Sequence, residues 1–560
     1  MKKQSKSALA AAVLAVALSV TSCNANPTNG AKDTTQSVPP QKGGTLRILS
    51  TNTDFNFDPA KSTNLAITSL SFVARRLTTW QAEPGKEMTP IPDLATDTGT
   101  TTDAGRTWKY TLKDGLKFQD GSPITSADIK YGLERSFAPL LSGGFTYHRT
   151  LLQGGEAYDG PYNGKSLDSI ETPDAKTVIF HLNKPFGDFP WIASQPAFTP
   201  VPQAKDNPAT YFQAPVASGP YQVEKFDKAS EVVLVRNPNW DPKTDPARTA
   251  GPDRVIFQLG MQQTTISQEL IADTGAAKSA FSASFVPASQ LPLIRSNPSA
   301  KNRIAEAGGG SLYQLQLNVS KSPLNDPKVR QAIVYATDKQ AFRTSLGGES
   351  RGDYATTNIP PAIPGYQKFD AFPTQPTGDV EKAKQLLAEA GHPNGIDLVL
   401  VTKNDATNSA GGQAIEAGLR RAGIRVTIQA LDNASYDDIT QHKDGSGYDL
   451  VLSSWQADFP SAASMLQPGF GTSEIGNGGF NISRYSNPRV DDLIARATAE
   501  VDPKRAGELW LEVDRIVTGE VANVPLINSV NTFIYGSDVR NFYVPPFPAY
   551  PVYFKVSLAQ

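Results

Sequence analysis

The sequence is short of cysteine, of any excess of one charge, and of long apolar runs. Its 560 residues contain one cysteine, Cys23, so no disulfide can form within the chain. There are 53 Lys and Arg residues against 55 Asp and Glu, a net charge of −2, and no basic stripe that would favour nucleic acid as a partner. The apolar run over residues 8–20 is shorter than the ~20 residues that span a bilayer, and no other run approaches that length.

The overall amino-acid composition is typical of a folded globular protein. Hydrophobic residues make up 39% of the chain and aromatic residues 9%, which is enough to bury substantial cores. A chain of this length exceeds a single core, and length alone suggests roughly three to four domains. The 44 glycines and 43 prolines indicate many turns and extended connections.

The first 22 residues have the features of an export signal. Three lysines within the first six residues precede the short apolar run, and small residues follow it. The end of this segment, Val20-Thr21-Ser22-Cys23, resembles the lipobox of bacterial lipoproteins. The resemblance implies that Cys23 is lipidated and anchors the protein to the extracytoplasmic face of a bacterial cell membrane. The alternative is an ordinary secretory signal that has a cysteine there by chance.

The segment after the cysteine is predicted to be a tether, so residues 23–42 form a lipid-anchored flexible linker. Residues 24–42 contain no aromatic side chain and one large aliphatic one, Val38. Such a composition cannot bury enough apolar surface to fold. We therefore expect the folded body to begin near Gly43.

Local patterns in the first half of the body predict strands, one helix and several turns. Strands are expected over 43–50 and 176–182, and two strands joined by a polar turn over 221–237. Residues 68–80 are predicted to form a helix. The glycines at 308–310 are interpreted as a turn before a strand.

From Asp326 onward, helices and strands alternate. Asp326 and Asp379 are both placed to cap helices, the first followed by Pro327 at the first helical position. Strands are predicted over 396–402, 424–431 and 448–455, with a helix around 414–422 between the first two. Because crossover helices join parallel strands, this order predicts a largely parallel sheet.

Motifs for catalysis, metal binding or nucleotide binding are absent. The histidines at 148, 181, 392 and 442 form no pair at helical or hairpin spacing. The segment at 160–166 lacks the first glycine of a phosphate-binding loop and carries Pro161 within it. No nucleophile-elbow motif occurs. We therefore expect no catalytic residues, no metal and no cofactor.

Several segments, in order, resemble the family 5 (oligopeptide and dipeptide type) extracellular solute-binding proteins of ATP-binding-cassette (ABC) importers. The resemblance covers the body from Gly43 to about Phe554. Its segments are GGTLRILS, WKYTLKDGLKFQDGSPITSADIKYGLERS, SGPYQVEKF with VVLVRNPNW, LNDPKVRQAIVYATDKQ and YDLVLSSWQADFPS.

The resemblance implies an α/β fold, a two-lobed clamshell like that of periplasmic binding proteins, with an extra domain inserted in the first lobe. Lobe I would comprise residues 43–92, 197–300 and 524–560, the inserted domain 93–196, and lobe II 301–523. Two crossings between the lobes would form a hinge, and closure around a ligand is the expected motion.

The implied function is capture of peptides, in particular oligopeptides, for delivery to the permease and ATPase subunits of an importer. The same family includes receptors for metal chelates, haem and oligosaccharides, which remain alternatives. A cell-surface hydrolase and a structural lipoprotein without a ligand are further alternatives. No nucleic acid is expected as a partner, and the receptor is expected to be a monomer.

The resemblance also implies binding residues in the second lobe. Asp458 matches the aspartate that, in peptide-binding members, pairs with the α-ammonium group of the peptide. Trp455 and the neighbouring residues Ser454, Gln456 and Ala457 would border the cleft. From the residues alone, Asp458 or Ser461 could equally cap a helix over AASMLQ, and Trp455 could be core packing.

First-lobe and crossing residues complete the expected site. Thr63, Asn64 and Leu65 match cleft-lining positions, and Ser218 and Gly219 fall where the chain re-enters the first lobe. Tyr313 begins a strand after a crossing and could stack on a ligand or lie in the core. Some family members carry an arginine for a peptide carboxylate six residues before the aspartate, but this chain has Leu452 there.

Overall fold

The computed structural model describes residues 39, 41–53, 55–228 and 230–559. The predicted export signal, Cys23 and most of the predicted tether lie outside the described residues. Over the described ranges, no helix combines the length and the apolar character needed to cross a lipid bilayer.

The described residues form 19 strands and 13 α-helices. The strands are β1 (Thr45–Leu49), β2 (Thr78–Trp80), β3 (Pro90–Pro92), β4 (Thr100–Thr101), β5 (Thr107–Thr111), β6 (Ile170–Glu171), β7 (Thr177–His181), β8 (Tyr221–Asp227), β9 (Glu231–Arg236), β10 (Arg254–Gln258), β11 (Ala280–Ser282), β12 (Ile304–Leu317), β13 (Gly352–Tyr354), β14 (Ile396–Lys403), β15 (Ile424–Leu431), β16 (Leu450–Gln456), β17 (Asn523–Ile534), β18 (Val539–Arg540) and β19 (Ser557–Leu558). The helices are α1 (Ser126–Arg135), α2 (Tyr147–Leu151), α3 (Phe189–Ile192), α4 (Gln263–Ala272), α5 (Leu291–Ser296), α6 (Pro327–Ala336), α7 (Lys339–Ser345), α8 (Val380–Glu389), α9 (Ala406–Arg420), α10 (Asn433–Asp437), α11 (Ala463–Phe470), α12 (Pro488–Ala499) and α13 (Pro503–Glu520).

The first large sheet has five strands in the order β11-β1-β10-β9-β8. Strand β1 is parallel to both of its neighbours, and β10, β9 and β8 continue as antiparallel neighbours. Alternation of side chains along β1 buries Leu46 and Ile48 in the core. The strand predicted over 43–50 and the strand pair predicted over 221–237 are confirmed.

A smaller antiparallel sheet has four strands in the order β4-β5-β7-β6. Aromatic side chains hold its inner face: the Tyr110 and Phe180 rings are 5.9 Å apart, and Trp108 stacks on Phe189 at 5.9 Å. All four strands lie within the predicted inserted domain, residues 93–196. The domain boundaries themselves stay a prediction.

The second large sheet has six strands in the order β13-β17-β12-β16-β14-β15. Strand β14 is parallel to β15 and β16, but β12 is antiparallel to both β16 and β17, and β13 is antiparallel to β17. The prediction of a largely parallel sheet is therefore wrong, because three of the five strand pairings are antiparallel. Crossover helices connect β14, β15 and β16, whereas the long strand β12 arrives from the first sheet and the long strand β17 runs toward it.

Strands β12 and β17 form a two-stranded connection between the two large sheets. Their inner halves pair within the six-stranded sheet, and beyond it Ile304–Gly308 pairs with Val530–Ile534. Tyr535, just after β17, bridges to Phe281 of β11 in the first sheet. The register shifts between Gly308 and Leu312, so the glycines form a bulge inside β12 and not the predicted turn.

The helix predicted over residues 68–80 does not form. This segment contains a short 3-10 helix at Ser69–Phe72 and then strand β2. The chain between them is held by the buried carboxylate of Asp93. The Arg75 side chain forms an ion pair with its Oδ1 atom at 2.7 Å, and the Arg76 backbone N–H donates to its Oδ2 atom at 3.1 Å. These contacts fix an extended course that local pattern does not reveal.

Candidate functional site

A cleft of about 790 Å³ lies between the two large sheets. It opens where β1 and β11 end, because Ser50 directly follows β1 and Ala283 directly follows β11. The end of β16 supplies the contribution of the second sheet. The lining residues are Ser50, Thr51, Asn52, Phe55, Thr63, Asn64, Leu65, Thr68, Ser69, Phe145, Phe257, Ala283, Ser284, Phe285, Gln456, Ala457, Asp458, Tyr550 and Tyr553.

Six of the residues expected at the site lie in this lining. They are Thr63, Asn64 and Leu65 on the side of the first sheet and Gln456, Ala457 and Asp458 on the side of the second. The structure thus brings together two segments that are almost 400 residues apart in the sequence numbering. Ligand binding by these six residues stays a prediction.

The turn on the first side is fixed by the Asn64 side chain. Its Oδ1 atom accepts hydrogen bonds from Thr68 Oγ1 and Ser69 Oγ, both at 2.8 Å, and from the Leu70 N–H at 3.2 Å. An amide oxygen with three donors leaves the turn little freedom. A ligand that enters the cleft therefore meets a preformed wall.

Asp458 lies half-buried at the end of the turn after β16. Its Oδ2 atom accepts a hydrogen bond of 2.6 Å from the hydroxyl of Tyr147, the first residue of α2. Burial raises the pKa of Asp458 above its ordinary value, and the bond from Tyr147 partly opposes this shift. The carboxylate makes no ion pair with any residue in the described ranges.

Asp458 does not cap α11, so one alternative from the sequence is settled. The N-cap residue is Ala462, and the side chain that bonds the start of the helix is that of Ser461, one residue earlier: its Oγ atom accepts from the Ala463 N–H at 3.2 Å. The carboxylate of Asp458 is left facing the cleft.

Aromatic side chains form a wall that sequence reasoning missed. They are Phe55, Phe145, Phe257, Phe285, Tyr550 and Tyr553. The rings support one another: Phe55 and Phe257 are 4.7 Å apart, and Phe285 and Tyr550 are 5.3 Å apart. One available signal was position, because ligands bind beyond the carboxyl ends of parallel strands and Phe285 follows β11 closely.

Trp455 and Ser454 lie beside the cleft but outside its lining. The Trp455 indole N–H donates to the Ser464 carbonyl at 2.9 Å, and its ring lies 4.8 Å from that of Phe480. Ser454 is exposed and pairs with Tyr313 in the sheet. Through these two contacts Trp455 supports the turn that carries Asp458.

Three expected residues lie away from the cleft. The Tyr313 ring packs 5.8 Å from Phe342 in the core of the second lobe, which is the packing alternative left open above. Ser218 is buried and its Oγ accepts from the Arg75 N–H at 2.9 Å. Gly219 packs so closely that an added Cβ would lie 2.7 Å from the Phe72 carbonyl oxygen. All three have structural surroundings.

Ser136 and His148 form a hydrogen-bonded pair that sequence spacing did not reveal. Its donor and acceptor are the reverse of those in a catalytic serine–histidine pair. Ser136 Oγ and His148 Nε2 are 2.7 Å apart, and Ser136 Oγ also lies 2.6 Å from the Leu133 carbonyl, to which it donates. The ring nitrogen is therefore the donor to the serine and not its base. Both side chains are buried, and burial lowers the pKa of His148 to about 3. Among the described residues, no group of three or more His, Cys, Asp and Glu side chains could hold a metal ion.

The chain is similar in sequence and structure to known binding proteins. The profile of the family "Bacterial extracellular solute-binding proteins, family 5 Middle" matches residues 89–477. A solved structure titled "Clavulanic acid biosynthesis oligopeptide binding protein 2" is 32% identical, with a TM-score of 0.87 over 94% of this chain and 97% of the other. The glutathione-binding protein GsiB of Salmonella typhi is 28% identical over 80% of this chain and 82% of its own. GsiB of Escherichia coli K12 is 27% identical over 82% and 85%.

The solved structures also confirm the expected two-lobed α/β clamshell. A murein tripeptide binding protein, MppA, in an unliganded open form has a TM-score of 0.75 at 20% identity. At that identity the likeness shows the fold alone. The named relatives are binding proteins, and none of the names is that of an enzyme.

Proposed function

Because the chain belongs to the bacterial extracellular solute-binding proteins of family 5, we propose that it is the lipid-anchored receptor that captures peptides for an ABC importer. The ligand would lie in the cleft between the lobes, with its α-ammonium group against Asp458. The loaded receptor would then deliver it to the permease and ATPase subunits.

The unpaired carboxylate of Asp458 carries this proposal. A half-buried carboxylate that receives one hydroxyl donor is poorly compensated for its loss of water. A ligand ammonium group would supply both a counter-charge and further donors, in a cleft where excluded water strengthens the attraction. The neighbouring backbone at 456–457 can hold an extended peptide without regard to its sequence.

The charge of the lining narrows the ligand class. Among the described residues of the lining, Asp458 is the only Asp or Glu, and there is no Lys, Arg or His. Leu452, at the position of the arginine in some relatives, is buried in the core of the second lobe. A peptide with a free amino end and its carboxyl end outside the cleft fits this lining. Glutathione, which carries two carboxylates, fits it less well.

The proposal is tested by native mass spectrometry of the purified full chain, followed by denaturation to identify released molecules. We expect a heterogeneous set of peptides in the wild type and an occupancy about 10-fold or more lower in Asp458→Asn. Asp444→Asn, which changes an exposed aspartate in a turn, is the matched control and should keep the wild-type occupancy. Equal occupancy in wild type and Asp458→Asn would exclude the ammonium pairing.

A second candidate ligand is an oligosaccharide, favoured by the aromatic wall. Phe145, Phe285 and Tyr550 are the partly exposed rings of this wall and could stack on sugar faces, which needs no counter-charge. The same experiment separates the two ligands. A released carbohydrate whose occupancy is unchanged in Asp458→Asn would replace the peptide by the sugar.

The lipid anchor is a separate part of the proposal and rests on the sequence around Cys23. We expect the full-length protein to enter the detergent phase of a Triton X-114 partition, and Cys23→Ser to move it to the aqueous phase. Mass spectrometry of the N-terminal peptide gives the lipid directly. Partition into the aqueous phase by the wild-type protein would contradict the anchor.

A further inference from the structure

The hydroxyl of Tyr553 is a polar group without a partner in the described part of the chain. The side chain lines the cleft and is 6% exposed, yet its hydroxyl makes no hydrogen bond with any described residue. Its oxygen atom retains accessible surface, whereas the unpartnered hydroxyl of Tyr110 is enclosed in the core. Because buried polar groups in folded proteins nearly always have a partner, we expect the partner of Tyr553 to come from the cleft.

Packing fixes the position of this hydroxyl. Tyr553 is the first residue of a 3-10 helix, Tyr553–Lys555, and its backbone N–H donates to the Ile67 carbonyl at 3.0 Å. The ring lies 5.1 Å from that of Phe281 in β11 and 6.3 Å from that of Phe72. The phenol is therefore held on the side of the first sheet, and a ligand meets it already oriented.

Tyr550 supplies a second phenol to the same part of the cleft. It is half-buried, and its hydroxyl also has no hydrogen-bond partner among the described residues. Its ring packs 5.3 Å from that of Phe285 and 6.2 Å from that of Phe533. Burial raises the pKa of Tyr553, and the nearby Tyr550 raises that pKa further. Both phenols are therefore protonated donors at neutral pH.

The cleft around the two phenols is uncharged and rich in hydroxyl groups. The Thr51 and Ser284 side chains lie just beyond the carboxyl ends of β1 and β11, where ligands bind in open α/β sheets. Their Oγ atoms are 3.1 Å apart and satisfy one another. The phenols of Tyr550 and Tyr553 are thus the donors that remain for a ligand oxygen on this side.

We propose that Tyr553 and Tyr550 form a ligand subsite, in which the two phenol hydroxyls donate to main-chain carbonyl oxygens of the bound peptide. This inference rests on the proposed function and adds to it a contact on the side of the first sheet, opposite Asp458. Every peptide has main-chain carbonyls, so the contact does not depend on the side chains of the ligand. A terminal carboxylate offers the same acceptor chemistry, and the experiment separates the two.

The test is calorimetric titration of the full chain with trialanine at pH 7. Tyr553→Phe keeps the ring and its packing and removes the hydroxyl alone. We expect its affinity to fall about 5-fold or more, and that of Tyr550→Phe to fall about threefold, as for a neutral hydrogen bond. Unchanged affinity in Tyr553→Phe would overturn the inference.

Tyr221→Phe is the matched control. Tyr221 is as deeply buried as Tyr553, and its ring lies 5.4 Å from the same Phe72, but its hydroxyl donates to the Pro252 carbonyl at 2.7 Å. Its bond lies within the protein, so Tyr221→Phe should keep the wild-type affinity. A loss of affinity in Tyr221→Phe equal to that in Tyr553→Phe would mean that the loss is not specific to the cleft, which contradicts the subsite.

Trialanine with a C-terminal amide distinguishes the two acceptors. If the phenols bind main-chain carbonyls, Tyr553→Phe should lose the same 5-fold or so in affinity for the amide as for the acid. A loss that disappears with the amide would assign the hydroxyls to the terminal carboxylate and overturn the carbonyl assignment.

A measurement without ligand separates this inference from the proposed function. Tyr221→Phe leaves the buried Pro252 carbonyl without its donor, so its urea unfolding midpoint should fall by about 0.2 M, whereas that of Tyr553→Phe should match the wild type. Equal falls would show that the protein itself uses the Tyr553 hydroxyl, and would overturn the inference even if trialanine binds. Absence of trialanine binding, with Tyr553→Phe as stable as the wild type, contradicts the proposed ligand and leaves the hydroxyl supported as a group reserved for a ligand.

Discussion

Asp514 and Asp458 are both carboxylates whose pKa burial raises, yet their surroundings differ sharply. Asp514, on α13, accepts four hydrogen bonds: two from the backbone N–H groups of Asn358 and Ile359, one from the Asn358 side chain and one from Thr518. Asp458 accepts one, from Tyr147. Within the protein, the hydrogen-bonding capacity of Asp514 is largely satisfied, whereas most of that of Asp458 is not.

The difference separates a structural carboxylate from one that is available to a ligand. Four donors compensate the loss of water at Asp514 and tie α13 to the loop at 358–359. At Asp458 most of the accepting capacity of the carboxylate is unused and lies at the cleft surface. The two sites differ in both respects: Asp514 is fully buried with four donors, whereas Asp458 is half-buried with one.

The largest expected effect is on stability, and it should appear at Asp514. In Asp514→Ala the buried donors of Asn358 and Ile359 lose their acceptor, so the free energy of unfolding of the second lobe should fall by about 3 kcal/mol. Asp458→Ala should change it by less than about 1 kcal/mol, because one partly exposed hydroxyl loses its partner. Thermal unfolding and hydrogen exchange of α13 measure both variants. Equal losses in the two variants would remove the distinction.

A smaller effect is expected from Tyr147→Phe, which removes the single donor of Asp458. Loss of the hydroxyl should raise the pKa of Asp458 further, since the bond favours the ionised form. Trialanine affinity at pH 7 should then fall about threefold, with a larger loss at pH 5. Calorimetric titration at the two pH values gives the comparison. An affinity that improves would mean that Tyr147 competes with the ligand for the carboxylate.

The smallest expected effect is the pH dependence of stability without ligand. Because folding raises the pKa of Asp458, the folded state holds its proton more tightly, and stability is lost as the pH rises from about 4 through the raised pKa. Asp458→Asn lacks this loss, so its advantage over the wild type should grow by roughly 1 kcal/mol or less between pH 3.5 and 7, given partial exposure. Melting curves at both pH values measure it. A wild type that gains stability over Asp458→Asn across that range would contradict the raised pKa.

Local sequence signals predicted the elements whose stabilising contacts are local. Asp326 and Asp379 cap α6 and α8 as expected, accepting from the N–H groups of Lys328 and Lys382 at 2.8 and 2.9 Å. The failures are elements set by distant contacts. Residues 68–80 adopt the conformation set by contacts with Asp93 and not the predicted helix. The glycines at 308–310 lie within a strand because β17 pairs with Gly308 and Leu312 on either side of the bulge.

The same distinction holds for the cleft. The resemblance to a family pointed to Asp458 and to residues 63–65, which the structure places in one cleft. The aromatic wall comes from chain segments as distant as Phe55 and Tyr553, so no window of sequence contains it. Tyr313 has the pattern of a strand aromatic, and only the position of Phe342 decides that it faces the core.

The paired strands β12 and β17 have a consequence for how the protein is made. Ser311 and Ser529 meet across them although they are 218 residues apart, and β17 spans Asn523–Ile534. The six-stranded sheet lacks an inner strand until synthesis has passed Ile534, so the sheet cannot be completed while β12 waits for a partner that lies more than 200 residues further along the chain.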